Sequence, residues 1–390
     1  MVLSSHCEEE RMRKNLLMFF QAIPRSTLLV LTLATTSSLP AQQNPKTQAQ
    51  IEAIADRILG QAMPRYQIPG MIVGIVQDGQ VVVKKGYGVK RRGTADVPDE
   101  NTVFAIGSVS KALTGIGAMM LVDREKVKLD DPKRAYLHGL PREWEQITVR
   151  EYMTHTSGIP DFPKSPNFEV AVQRASRKPM QFRPATQQKY TNANYAIIGK
   201  MIEAVSGQPY ERYMHENIFG PLEMNSTGGY REFLKGNHAT GYQGDGPNQH
   251  EAEPTVTVYG IPSGGMVSTI SDLLKLDAAM RAQKLMKPES YQQMYTRTIP
   301  PGVNTPWHFT PGWQARMAGN TEVVAKNGMV AGFGCQWQFV PSQGTAVIMI
   351  WNLSARNDDL WSEAAQILWQ GFGIVTQQRE AAMLRATPEE

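Results

Sequence analysis

The chain has 390 residues, 41% of them hydrophobic and 19% charged, which excludes a disordered polymer and leaves ample apolar surface for a core. Its 40 basic and 36 acidic residues give a net charge of +4 with no basic stripe, so no nucleic-acid partner is expected. At the N-terminus, Arg11, Arg13, Lys14 and Arg25 precede the apolar run Leu28–Ala34, and small and polar residues follow as far as Ala41. That order is the pattern of an export signal, and the run falls short of the roughly 20 residues that span a bilayer. Residues 1–41 are therefore read as a signal peptide and 42–47 as a flexible lead-in. The mature chain is expected to be secreted or periplasmic, with no stable membrane span. Cys7 leaves with the signal, so Cys335 has no intramolecular partner.

Downstream, Ile51, Ile54, Ala55, Ile58, Leu59 and Ala62 recur at helical spacing. Met71–Val76, the turn Asp78-Gly79 and Val81–Val83 then predict a hairpin. After Phe104 helices dominate, over 108–124, 148–155, 193–206 and 209–218, and over 272–283 with Ser271 as its cap. Long connections at 156–168, 225–230 and 241–264 separate them, and loops of that length often wall a functional site. Strands return at 322–326, 335–340 and 345–351. A helix with Leu360, Trp361, Ala364, Ile367 and Leu368 on its apolar side follows, then a polar tail at 376–390. The fold class is α/β of the α+β kind. Residues 48–105 and 290–375 supply an antiparallel sheet flanked by the N- and C-terminal helices, and 106–289 form a mostly helical insertion.

Three short motifs carry chemistry. Ser108-Val-Ser-Lys111 opens the first central helix, and residues three apart share a helix face, so the lysine can reach the serine. Ser-x-x-Lys arises by chance roughly once or twice in a chain this long. Here Ser108 is the only serine with lysine at that spacing, although a serine at a helix start also serves as a cap. Tyr190-Thr-Asn192 precedes the helix near Asn194, and Tyr190 is the only one of thirteen tyrosines with asparagine two residues on. Lys326-Asn-Gly328 is read as a strand end. It is weak alone, since Lys84-Lys85-Gly86 has the same form.

In this order the three motifs resemble those of the serine β-lactamase and penicillin-binding-protein family, in its class C-like branch, over about residues 48–373. Thr154–Pro160, Gly220–Met224 and Pro262–Ser268 share the likeness. The resemblance implies a β-lactamase/transpeptidase-like fold and an acyl-enzyme on Ser108, with Lys111 and Tyr190 dividing the acid–base work. Asn192 would hold a substrate amide or carbonyl, and Lys326 and Gly328 would complete the binding site. The oxyanion would be held by the N–H groups of Ser108 and Met329. Two neighbouring ammonium groups, on Lys111 and Lys326, are expected to favour the phenolate of Tyr190. Asn327 stands where lactamases usually carry threonine, which removes one hydrogen bond to a substrate carboxylate.

The expected partner is a small molecule: a β-lactam, a D-amino-acid peptide or an ester. A carboxylesterase or a D-Ala-D-Ala carboxypeptidase of the same fold is the alternative, and a non-catalytic peptidoglycan-binding relative is the reading from another class. No Gly-x-Ser-x-Gly surrounds any serine, which argues against an α/β-hydrolase elbow. His215-Glu216 and His250-Glu251 lack the second histidine of a zinc helix, so neither metal nor cofactor is expected. His155, at a helix end, is read as structural.

Overall fold

Met71–Val76 and Ala346–Trp351 are apolar at nearly every position, too continuous for strands with one wet face. In the computed structural model they lie side by side, second and third from one edge of a sheet covered on both faces. The structure describes residues 45–230, 236–253, 256–354 and 360–374, within one compact unit. The predicted signal peptide, residues 42–44 of the lead-in, the tail at 376–390, and the side chains of Leu360 and Trp361 lie outside the described residues.

The chain enters through helix α1 (Gln48–Tyr66), whose N-terminus is closed by a reciprocal Thr47–Gln50 capping box. Strands β1 (Gly70–Gln77) and β2 (Gln80–Gly88) form the predicted hairpin. The remaining strands of the sheet come from the other end of the chain: β3 (His308–Phe309), β4 (Gln314–Ala318), β5 (Thr321–Val330), β6 (Phe333–Val340) and β7 (Thr345–Trp351). The order is β2-β1-β7-β6-β5-β4-β3 and every pairing is antiparallel. The junction between the two ends has Ile72 opposite Ile350 and Gly74 opposite Ile348.

Each face buries its own core. Met71, Val73 and Met349 meet α1 and the C-terminal helix α5 (Leu360–Phe372), which contributes Ala364, Ile367 and Leu368. Ile72, Ile348 and Ile350 meet the helical part, including α2 (Ser110–Asp123) and α4 (Ile270–Arg281). Helix α2 is buried at every position from Ser110 to Leu121, so it is a central post rather than an amphipathic cover. Helix α3 (Asn192–Ser206) packs against it.

The structure refines several expectations. The helix predicted from 108 begins as a 3-10 turn, Gly107–Val109, with the α-helix proper from Ser110. Helix α4 is capped by Thr269, whose side chain accepts the Asp272 N–H, and Ser271 lies inside it. Strand β5 continues to Val330, so Lys326-Asn-Gly328 sits in mid-strand and not at its end. The stretch at 241–264 contains short strands, Tyr242–Gln243 and His250–Glu251, and a helical turn, Ile261–Gly264. Strands β3 and β4 escaped the sequence reading because they are short and weakly patterned.

One buried amide locks the edge of the hairpin to the sheet centre. Asn352 is fully buried; its Oδ1 accepts the Gly70 N–H at 2.7 Å, and its Nδ2 donates to the carbonyls of Val89 and Lys90 at 3.3 and 3.0 Å. Asn352→Ala removes the side-chain partner of the Gly70 N–H and the Val89 carbonyl, while the Lys90 carbonyl keeps the Thr240 N–H at 2.9 Å. It should lower unfolding free energy by about 1–3 kcal/mol in urea melts, with the m-value unchanged.

Candidate active site

The sheet and the helical part meet at a tight junction where two glycines face each other. Gly107 has a φ of +51°, and a Cβ there would lie 2.6 Å from the Met329 nitrogen. A Cβ on Gly328 would lie 2.1 Å from the Ile106 oxygen and 2.8 Å from the Ser108 nitrogen. No side chain fits at either position, and the missing Cβ atoms let β5 press directly on the turn that carries Ser108. This brings the backbone at Ser108 and the backbone at Met329 into close approach. Gly328 thus acts through the space it leaves.

Ser108, half-buried, is flanked by two groups. Its Oγ lies 2.6 Å from the Tyr190 hydroxyl and 3.2 Å from Lys111 Nζ. Lys111 is completely buried, and its Nζ also donates to Asn192 Oδ1 at 2.7 Å and to the carbonyl of Ser263. Two of its three directions therefore end on oxygens that only accept, and the third points at the serine hydroxyl. Burial first, and then the charge on Lys326, hold its pKa well below the ordinary lysine value, with Asp161 opposing. A neutral Lys111 satisfies all three contacts: two N–H groups on the carbonyls and a lone pair toward Ser108 O–H.

Tyr190 moves the other way. It keeps 39% of its surface exposed, yet burial around the phenol raises its pKa, partly offset by the bond to Ser108. The expected phenolate is thus not what this environment favours; desolvation, with the charge of Asp161 adding to it, outweighs the bond to Ser108 and keeps the hydroxyl protonated. The amines stand over its ring rather than beside its oxygen, Lys111 Nζ at 4.6 Å and Lys326 Nζ at 5.2 Å from the centroid.

Lys326 is only 2% exposed, with its Nζ also 6.0 Å from the Phe309 ring, and burial lowers its pKa to about 7. Neither Lys326 nor Asn327 lines the open cleft beside Ser108. That cleft encloses about 1210 Å3 of empty space, walled by Asp161, Phe162, Val256, Tyr259 and Met329, among others, with Asn192 at its edge. All seven residues singled out in the sequence therefore gather at this one junction, with Lys111 and Lys326 below its surface.

A family model described as Beta-lactamase matches residues 55–368. The chain belongs to the beta-lactamase family. Among relatives, PbpX of Bacillus subtilis (strain 168) is 28% identical over 295 residues, covering 72% of this chain and 69% of that one. The Unguisins hydrolase ungD' of Aspergillus campestris (strain IBT 28561) is 27% identical, covering 75% of this chain and 60% of its own. Protein flp of Staphylococcus aureus (strain COL) is 24% identical, covering 77% and 63%. The chain thus spans less than two thirds of the last two. Among solved structures, the octameric penicillin-binding protein homologue from Pyrococcus abyssi superposes with a TM-score of 0.71 at 23% identity, over 87% of this chain and 82% of that one. This confirms the mixed α/β fold with its antiparallel sheet, and family membership supports a serine-hydrolase class.

The sequence reading passed over Asp161, Ser263 and the part His155 plays at the Tyr190 turn. The Ser263 carbonyl is a backbone group, for which no side-chain pattern could speak.

Lys326 makes a testable contribution to stability. Its folded pKa of about 7 lies below the ordinary lysine value of 10.5, so between these values the unfolded chain binds more protons and stability rises with pH. Below about 7 the ammonium is buried at full cost, at roughly 1.4 kcal/mol per pKa unit. Lys326→Met should unfold at higher urea than the parent near pH 6, and should lose most of the parent's gain between about pH 7 and 10.

Proposed function

We propose that this protein is a serine hydrolase working through an acyl-enzyme on Ser108, cleaving a β-lactam, in the manner of a class C-like enzyme, or a related D-amino-acid amide. The observation that carries the reading is the placement of Ser108 Oγ between Tyr190 and the buried Lys111, at 2.6 and 3.2 Å. A serine hydroxyl is a weak nucleophile and needs a base within hydrogen-bond reach.

On this reading Lys111, neutral by burial, takes the Ser108 proton as Oγ attacks the carbonyl carbon. The developing oxyanion meets the N–H groups of Ser108 and Met329 at the glycine junction. Tyr190, kept protonated, donates its phenolic proton to the departing nitrogen or oxygen, and the proton that Lys111 took from Ser108 returns to the phenolate. Water then repeats the sequence in reverse to release the acyl group. Asn192, already bonded to Lys111, lies at the edge of the cleft where a substrate amide would enter.

One observation favours a second reading, a carboxylesterase of the same fold. Lys326 is sunk behind the Tyr190 ring, where it cannot meet a carboxylate, so the anionic group common to β-lactams loses its natural partner here. A D-Ala-D-Ala carboxypeptidase faces the same objection. We also place the protein outside the cytoplasm, as secreted or periplasmic, on the strength of its basic-then-apolar N-terminus.

Steady-state rates on nitrocefin, a short-chain p-nitrophenyl ester and a D-Ala-D-Ala peptide, measured side by side, choose among these substrates. Turnover confined to the ester would displace the amide reading. A fluorescent fluorophosphonate or penicillin should label the parent and not Ser108→Ala; a parent that takes no label would leave a non-catalytic, peptidoglycan-binding role. Lys111→Arg, which cannot be neutral, and Tyr190→Phe should each cut kcat/KM by at least about a hundredfold.

A further inference from the structure

We propose that His155 is the positioning residue that holds the Tyr190–Asn192 turn against Ser108, acting as a bare acceptor beneath the turn. The catalytic consequence rests on the acyl-enzyme reading above; the clamp itself does not.

Four contacts converge on this residue. Its carbonyl accepts the Lys189 N–H at 2.9 Å, and its Nδ1 accepts the Thr191 N–H at 3.3 Å, so the backbone on both sides of Tyr190 is tied to one residue. Its Nδ1 lies 3.1 Å from Asn194 Nδ2, and its ring faces the Tyr190 ring at 4.6 Å with a 35° tilt. Asn194 Oδ1 accepts from the Ser157 hydroxyl at 2.7 Å, which turns the amide nitrogen toward the imidazole.

The tautomer follows from these partners. A backbone N–H can only donate, so Nδ1 carries no proton and the ring proton sits on Nε2. His155 is 1% exposed, and burial first, then the charge of Lys326, keep it neutral. It also has a φ of +58°, a left-handed conformation uncommon for a residue with a Cβ. Strain of that kind persists where the surroundings over-determine it, commonly at functional sites. The second tie on the turn is Asp161, whose Oδ1 accepts from Thr191 Oγ1 at 2.8 Å and from the Ala193 N–H at 2.9 Å. Of these two ties, His155 is the one that also packs on the tyrosine ring, which Phe309 meets at 6.0 Å as well. Together they fix the 2.6 Å approach of the phenol to Ser108, and displacements near 1 Å at such contacts cost about a hundredfold in rate.

Two substitutions separate acceptor from packing. His155→Phe keeps a flat ring and removes the acceptor; His155→Asn restores an acceptor oxygen and tolerates the left-handed backbone. The phenylalanine variant should lose at least about tenfold in kcat with KM within about twofold, and the asparagine variant should recover most of the loss. A phenylalanine variant with parental kcat, or an asparagine variant equally impaired, overturns the proposal. Imidazole nitrogen-15 spectra of the unsubstituted protein test the clamp without activity or refolding. One histidine should stay neutral, with unprotonated Nδ1 and protonated Nε2, at about pH 5, where exposed imidazoles are charged. Absence of such a histidine overturns it. A parent enzyme that shows this signature but takes no label on Ser108 would sink the hydrolase reading and leave the clamp standing.

Discussion

The site depends on a lysine that has been taken out of water. Lys111 sits on a helix buried from Ser110 to Leu121, and its amine finds three oxygens and no carboxylate. A carboxylate would have restored the charge and made an inert ion pair. Carbonyl oxygens satisfy N–H groups without paying back the full cost of burying a cation, so the amine is driven toward the neutral, basic form. The neighbouring Lys326 pushes in the same direction.

The same desolvation acts oppositely on the phenol. Burial penalises charge of either sign, so it lowers the lysines and raises Tyr190, and on the proposed acyl-enzyme reading it thereby separates the roles of base and acid. The charge of Asp161 adds to the rise at Tyr190 and opposes the fall at Lys111. Asp161 stays on the backbone side of the turn, with Oδ1 bound to the Thr191 hydroxyl and the Ala193 N–H.

Much of this was legible in the sequence, for physical reasons. The strands at 71–76 and 345–351 announce themselves by unbroken apolar runs, and the three motifs by residue types that chemistry requires at fixed spacing. The antiparallel sheet with terminal helices follows from those runs and the flanking periodicities. What stayed hidden was set by tertiary context. Whether burial or nearby cations would dominate at Tyr190 depends on packing that no spacing encodes. The extension of β5 past Gly328 was masked by Gly328 itself, which reads as a breaker yet here marks a close backbone approach. Thr269 outcompeted Ser271 as the α4 cap because the strand Met266–Ser268 ends just before it. His155 looked like a helix end, and it is one; that the same residue reaches forward to the Tyr190 turn is a matter of loop geometry.

The segment at 256–264 has two duties. Val256, Tyr259 and Gly260 wall the cleft, while Ser263, a few residues on, supplies a carbonyl that takes one of the Lys111 protons. Selectivity and proton affinity are therefore wired through one short stretch of backbone. On the proposed acyl-enzyme reading, remodelling this wall to admit a bulkier acyl group would also shift the carbonyl that sits against the proposed base, Lys111. Changes of diet in this scaffold should come with changes in working pH, and drift at the wall is restrained by chemistry it never touches.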